Sequence, residues 1–377
     1  MLSLFFSTQQ SHFISDSRIF RLSALKPLYQ SYYHHDRLKP HQECCHRWRT
    51  HTPRTSPLRS HALTPSSQAS GNVGSYIAAA LLKTGKHNIT GLTRAGGSSK
   101  LPDGITVKTI DYDDPSTIVA ALQGQDALVI TLSGYVPHDT QSKLIRAAAE
   151  ASVPWILPNE YSPDTASEAL IKDIPVFQGA PKARAEVEEL GKSSFVSVAC
   201  GFWYEWSIAI APAYGFDFDK KEATFFDDGK AQISTSTWPQ VGRAVAALLS
   251  LPIEPENGDA EKSLAHFRNQ MMYVNSFTVS QQEMLDSVLR VTGDKLEDWT
   301  ISKENAEERY NAGMIAMKQD DRMAFVRALY TRPFFASGEG NFDKKGLANG
   351  ILGLPKEDLD EATKIGIKRA NETEKWT

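Results

Sequence analysis

The sequence predicts an α/β fold: a Rossmann-type doubly wound parallel sheet joined to a smaller, mainly helical C-terminal domain. Three observations carry this. Short apolar runs alternate with helix-period segments from residue 72 to about 199, the order that builds a parallel sheet covered by helices on both faces. Gln68-Ala69-Ser70-Gly71-Asn72-Val73-Gly74 stands at the head of that alternation, with glycines spaced as in a phosphate-binding turn that opens a helix. Beyond about residue 207 the strand–helix rhythm loosens into amphipathic helical stretches.

The turn comes first. Gly71 and Gly74 take the second and third positions of a Gly-x-x-Gly-x-x-Gly pattern, and Gln68 occupies the first. Gly71 lets the backbone approach a pyrophosphate, Gly74 lets the helix pack on the sheet, and Asn72 and Val73 lie between them. The helix of about residues 72–84 then offers free N–H groups and its positive dipole end to the phosphates. Strands follow at residues 88–94 and 105–110, and Asp114-Pro115-Ser116 opens a short helix. Asp126 to Thr131 is a continuous apolar run, as in a strand buried on both faces. A helix at 140–151 and strands at 153–157 and 194–199 complete this half.

The end of the second strand selects the cofactor. A site for NAD places an acid there, about 20 residues past the glycines, to hold the ribose hydroxyls. This chain has Thr93-Arg94, with Ser98, Ser99 and Lys100 nearby, so a cation stands where the 2′-phosphate of NADP would lie. The structural alternative is a solvated arginine at a strand end. Gln141, at the start of its helix, is a further candidate for the phosphate or ribose side.

Upstream of the turn the pattern breaks. A phosphate loop needs a buried central strand ahead of it, yet His61-Ala62-Leu63-Thr64-Pro65-Ser66-Ser67 contains a proline that cannot donate to a ladder. Residues 1–66 therefore read as a disordered segment, a transit peptide or a mispredicted first exon, and the abrupt seam favours the last. Residues 67–206 would form the NADP-binding domain and 207–377 the substrate domain. His41, Cys44, Cys45 and His46 lack a second ligand pair at zinc spacing, so no metal site is expected.

Composition bounds the partners. The 377 residues are 41% hydrophobic, enough for one large core or two modest ones, and no apolar run approaches the roughly 20 residues that span a bilayer. Residues 1–66 carry nine Lys/Arg against three Asp/Glu, leaving a net charge of −10 on the remainder. That acidity argues against general nucleic-acid binding. Three cysteines make no disulfide framework and suit a reducing, cytoplasmic setting. A small-molecule substrate is expected, with homo-oligomerisation left open.

Ser70-Gly71-Asn72-Val73-Gly74, Thr93-Arg94, Gln141-Ser142-Lys143-Leu144-Ile145 and Pro158-Asn159-Glu160-Tyr161, taken in order, resemble the NmrA-like and isoflavone-reductase-like proteins, which are atypical short-chain dehydrogenases/reductases. Gly201-Phe202-Trp203-Tyr204-Glu205-Trp206 resembles the fungal branch. The resemblance implies an NADP domain, a smaller substrate domain and NADPH-dependent reduction of small aromatic or polyketide-like molecules. It also implies a catalytic lysine at the start of the helix after the fifth strand. Lys182 is the only lysine there, but it precedes Glu188 by six residues where about eight are expected, and a direct alignment places Ala180 at that point.

A reductase needs an acid to protonate the developing oxyanion. No tyrosine here has a lysine four residues later, so the Tyr-x-x-x-Lys pair is absent. Lys182 is the candidate acid, against the plain reading of a solvated helix-start lysine. Asn159 and Glu160 close the fifth strand where ligands of open sheets bind, and Trp203 and Tyr204 follow the sixth, as pocket wall or as core. Gly338-Glu339-Gly340-Asn341 reads as a loop able to move over a pocket. The expected function is an NADPH-dependent oxidoreductase of fungal secondary metabolism, and the alternative is a non-catalytic NAD(P)-sensing regulator.

Overall fold

The computed structural model describes residues 60–65, 72–95, 101–133, 136–256, 258–317 and 321–372. The elements of the first half are β1 (Ser60–Pro65), α1 (Asn72–Thr84), β2 (Asn88–Arg94), β3 (Thr106–Ile110), α2 (Pro115–Leu122), β4 (Ala127–Thr131), α3 (Thr140–Glu150), β5 (Trp155–Leu157), α4 (Glu168–Asp173), α5 (Gly179–Leu190) and β6 (Ser194–Ala199). Then come β7 (Phe202–Trp203), α6 (Tyr204–Ser207), α7 (Ala211–Tyr214), β8 (Phe216–Asp217), β9 (Glu222–Phe226), β10 (Gln232–Ser236) and α8 (Trp238–Leu249). The chain ends with β11 (Gln270–Tyr273), β12 (Phe277–Ser280), α9 (Gln281–Thr292), β13 (Thr300–Glu304), α10 (Ala306–Met317), α11 (Arg322–Thr331) and α12 (Leu359–Glu372).

Seven strands form one sheet in the order β11-β6-β5-β4-β1-β2-β3. Every pairing in it is parallel. The expectation that no strand precedes the glycine turn is overturned. β1 lies at the sheet centre, with Ser60–Leu63 beside Asn88–Gly91 of β2 and His61–Pro65 beside Ala127–Thr131 of β4. Pro65 is tolerated because it is the last residue of the strand, where one missing donor ends the ladder without interrupting it. Two apolar neighbours recruit a segment whose own composition is weak, and tertiary pairing overrides local propensity.

Helices cover both faces. α1 and α8 pack on one through Val73, Ile77, Leu81, Val241, Val245 and Leu248. α2, α3 and α5 cover the other through Ile118, Leu144, Ile145 and Val187. Asp114 caps α2 by accepting from the Ser116 N–H, and Ser280 and Glu283 form a reciprocal capping box on α9, as their spacing predicts. The C-terminal half adds a separate aromatic core around Tyr204, Tyr214, Phe226 and Phe334. It is less purely helical than its pattern suggests, because β12-β10-β7 and β13-β9-β8 form two small sheets. It is also not continuous in sequence, since α8 and β11 return to the large sheet.

The Gly338–Asn341 loop is pinned. Glu339 pairs with buried Arg332 at 3.1 Å, and the Gly340 carbonyl accepts from the Ser234 N–H at 2.9 Å. Among the described residues no helix is long and apolar enough to cross a membrane, and no cluster of three or more His, Cys, Asp or Glu is arranged to hold a metal.

α1 and α8 meet backbone to backbone at Gly242, where an added Cβ would lie 2.5 Å from the Tyr76 carbonyl oxygen. Backbone cannot yield as a flexible side chain can. Gly242→Ala is therefore expected to lower stability by about 1–3 kcal/mol through overpacking, read as a drop in denaturant midpoint at constant m-value.

Candidate active site

The carboxyl ends of β1, β2, β4, β5 and β6 share one rim, the place where open parallel sheets bind ligands. α1 begins there. Asn72 is its first residue, and Val73 and Gly74 are buried in its first turn. Arg94, the last residue of β2, is exposed. Its charge works against the burial that raises the pKa of the nearby Tyr112 hydroxyl. Gly71 and Lys100, with Gln68, Ser70, Ser98 and Ser99, lie outside the described residues.

Gln141 and Asn159 are brought together, but on each other. Asn159 accepts from the Leu132 N–H at 3.0 Å and donates through Nδ2 to the Leu132 carbonyl at 3.1 Å. Its own N–H donates to Gln141 Oε1 at 2.8 Å. The two residues lash the chain leaving β4 to the chain leaving β5, a rim brace in place of the two separate ligand contacts expected.

Glu160 is a correction. Its carboxylate is buried under the rim and forms an ion pair with Arg184 of α5. It also accepts from Thr165 Oγ1 at 2.6 Å and Ser197 Oγ at 3.1 Å. Arg184 continues to the Thr165 carbonyl at 2.9 Å. Burial pushes the Glu160 carboxyl upward, and the Arg184 guanidinium with the hydroxyl donors pulls it back. Glu160 thus binds the loop after β5 to α5. Lys182, two residues before Arg184, lies about 200° away round the helix and is exposed. Ala180, at the position the resemblance gives to lysine, faces inward.

Tyr204 is also a correction. It is fully buried in the aromatic core, with its hydroxyl 2.8 Å from Thr363 Oγ1 and its ring edge-on to Phe277. Burial pushes its pKa up. Trp203 behaves differently. It is half-buried at the rim, its ring centre 5.8 Å from that of Trp238. The chain turns into β7 at Gly201, whose φ is +69° and where a Cβ would fall 2.0 Å from the Ser234 carbonyl oxygen. Only glycine fits that turn.

Sequence reasoning missed Arg184, Tyr161 and Glu205. The alternation Ala183-Arg184-Ala185-Glu186 gave no sign that the arginine is internal, because ion pairing across a fold leaves no local pattern. Glu205 Oε1 accepts the Trp238 N–H at the start of α8 at 2.8 Å, and burial lifts its carboxyl to about 7.

Two predictions follow from these buried charges. Arg184→Met is expected to destabilise the chain by about 3–5 kcal/mol, since it leaves Glu160 buried and alone, and Glu160→Gln in the same chain to restore most of that in denaturant melts. For Glu205 the folded value exceeds the ordinary carboxylate value, so the folded state holds the proton more tightly. Its contribution is present at low pH and lost as pH rises from about 4.5 through about 7. Stability measured from pH 5 to 8 should therefore fall less with pH in Glu205→Gln than in the parent chain.

The parallel sheet, the helix opening at its central strand and the cation at the neighbouring strand end define a dinucleotide-fold α/β protein. Residues 67–208 match the NmrA-like family profile. Oxidoreductase poxI of Penicillium oxalicum is 26% identical over 311 residues, covering 79% of this chain and 91% of its own. Among solved structures, the leucoanthocyanidin reductase–NADPH complex from Vitis vinifera superposes with a TM-score of 0.63 at 14% identity, over 82% of this chain and 99% of that one. Isoflavone reductase gives 0.63 at 16% identity, over 81% and 98%. The NADPH-dependent quinone oxidoreductase QOR2 of Escherichia coli gives 0.59 at 19% identity, over 81% and 98%.

Proposed function

We propose that this chain is an NADPH-dependent oxidoreductase that reduces a small aromatic or polyketide-like molecule in fungal secondary metabolism. The observation that carries the reading is the crossing of β1 into α1 at the sheet centre, with Arg94 on the adjoining strand end. Likeness to a fungal oxidoreductase and to reductases solved with NADPH supports it.

The residues present fit such a cofactor. Asn72, Val73 and Gly74 in the first turn of α1 bring helix N–H groups to the rim, suited to a pyrophosphate. Arg94 offers a guanidinium suited to the 2′-phosphate, and Lys100 a second cation. Bound there, the dinucleotide would supply a hydride. Asn159 and Gln141 hold the ends of β4 and β5 in register beneath it. Trp203 walls the substrate side, and Lys182, open to solvent at the start of α5, returns a proton to the reduced oxygen. The second reading, a dinucleotide-sensing regulator, is favoured by one observation: Lys182 makes no hydrogen bond or ion pair among the described residues that would orient it.

Fluorescence titration should give micromolar NADPH binding to the parent chain. Arg94→Ser is expected to weaken it about tenfold or more while NADH affinity stays constant, the loss of one charge-assisted phosphate contact. Equal losses for both nucleotides would remove the 2′-phosphate role. With a quinone or aromatic ketone that supports NADPH oxidation, Lys182→Ala should lower kcat about tenfold or more. Unchanged turnover would take Lys182 out of the reaction, and no turnover with any acceptor despite NADPH binding would favour the regulator.

A further inference from the structure

Two buried hydroxyls near the carboxyl end of β6, those of Tyr161 and Ser236, have no hydrogen-bond partner among the described residues, and the buried Trp203 indole N–H has the weakly accepting Cys200 thiol beside it. Buried polar groups are nearly always paired, and each orphan costs about 1–3 kcal/mol. Their placement is continuous. The loop leaving β5 returns to β6 at Ser162, which bridges Ala199 and accepts from the N–H groups of Cys200 and Gly201 at 3.0 and 3.1 Å. Tyr161 is thereby set beside Cys200. The Cys200 thiol in turn has the Trp203 side chain next to it, and Trp203 stands opposite Ser236 in the β7–β10 pairing.

Tyr161 and Trp203 bring donors to the set, and Ser236 brings a hydroxyl that can donate or accept. The Tyr161 phenol O–H and the Trp203 indole N–H can both donate, and the Cys200 thiol beside the indole is a weak acceptor. Burial holds the Tyr161 phenol protonated far above neutral pH and lifts the Cys200 thiol to about 12, so neither offers an anion. Tyr161 is 6% exposed, whereas Trp203 is only half-buried, so its ring links the set to the rim. What is missing is an acceptor oxygen on a flat body that can lie against an indole.

We propose that Tyr161 and Trp203 form the oxyanion-holding subsite for the carbonyl oxygen of an aromatic acceptor such as a quinone. This rests on the oxidoreductase reading above and deepens it. As the acceptor carbon takes the hydride, the C=O electron pair moves onto oxygen, where the Tyr161 O–H and Trp203 N–H hold the developing charge. That oxygen then takes the proton assigned above to Lys182, and the oxidised dinucleotide leaves with the alcohol or phenol product.

The test uses the full chain, its Tyr161→Phe and Trp203→Phe variants, and 1,4-naphthoquinone as probe. Probe affinity is read by quenching of tryptophan fluorescence, nucleotide affinity by NADPH titration, and stability by thermal melting. Tyr161→Phe removes one oxygen and keeps the ring. It should weaken naphthoquinone binding about tenfold and lower kcat about tenfold or more, with NADPH affinity unchanged. Its melting temperature should hold or rise, because the lost hydroxyl had no partner. Trp203→Phe should weaken the probe similarly. Naphthoquinone affinity equal in all three chains, or no binding to the parent, would overturn the proposal, as would a fall in melting temperature of Tyr161→Phe with probe binding intact. Failure of the parent to bind NADPH while the probe still discriminates Tyr161→Phe would instead remove the oxidoreductase reading and leave the subsite.

Discussion

The fold depends on a single insertion, that of β1 between β2 and β4. Without it the sheet would split into β2-β3 on one side and β4-β5-β6-β11 on the other. The glycine turn would then have no strand to leave and α1 no fixed axis. β1 is unremarkable in composition, and its last residue is a proline. What holds it is the unmet pairing of two neighbours, each with backbone donors and acceptors that must be satisfied in a buried layer. That one ladder places the start of α1 and the end of β2 on one rim, and the proposed dinucleotide site rests on this placement.

The rim shows how a polar region is made rigid enough to do chemistry. Asn159 and Gln141 tie together the exits of β4 and β5, while Glu160 and Arg184 tie the next loop to α5. Asn159, Gln141 and Glu160 were candidates for touching ligand, yet their hydrogen bonds are used within the protein. The Tyr161 hydroxyl, without a hydrogen-bond partner among the described residues, stands one step further along. Supporting groups are satisfied internally, and a buried polar atom without a partner carries a stability cost.

Much of this was legible in the sequence. The apolar run of β4, the capping box of α9 and the cation ending β2 each announce themselves within a few residues, because each is a local physical requirement. β1 was not legible, since its stability comes from partners 25 and more residues away in sequence. Nor was the burial of Glu160 and Tyr204. A carboxylate after a strand and an aromatic ring after the next look alike in sequence whether they face a ligand or the interior. Arg184 and Thr363, which decide the matter, come from distant segments. The return of α8 and β11 to the first sheet hid the division of the chain for the same reason.

The most direct test of this account is native-state hydrogen exchange resolved to the amides of residues 61–64. A central strand paired on both sides opens only with global unfolding, so these amides should exchange as slowly as those of Leu128–Ile130 in β4. Exchange at the rate of an unprotected peptide would contradict the central place of β1, and with it the dinucleotide site proposed at its end.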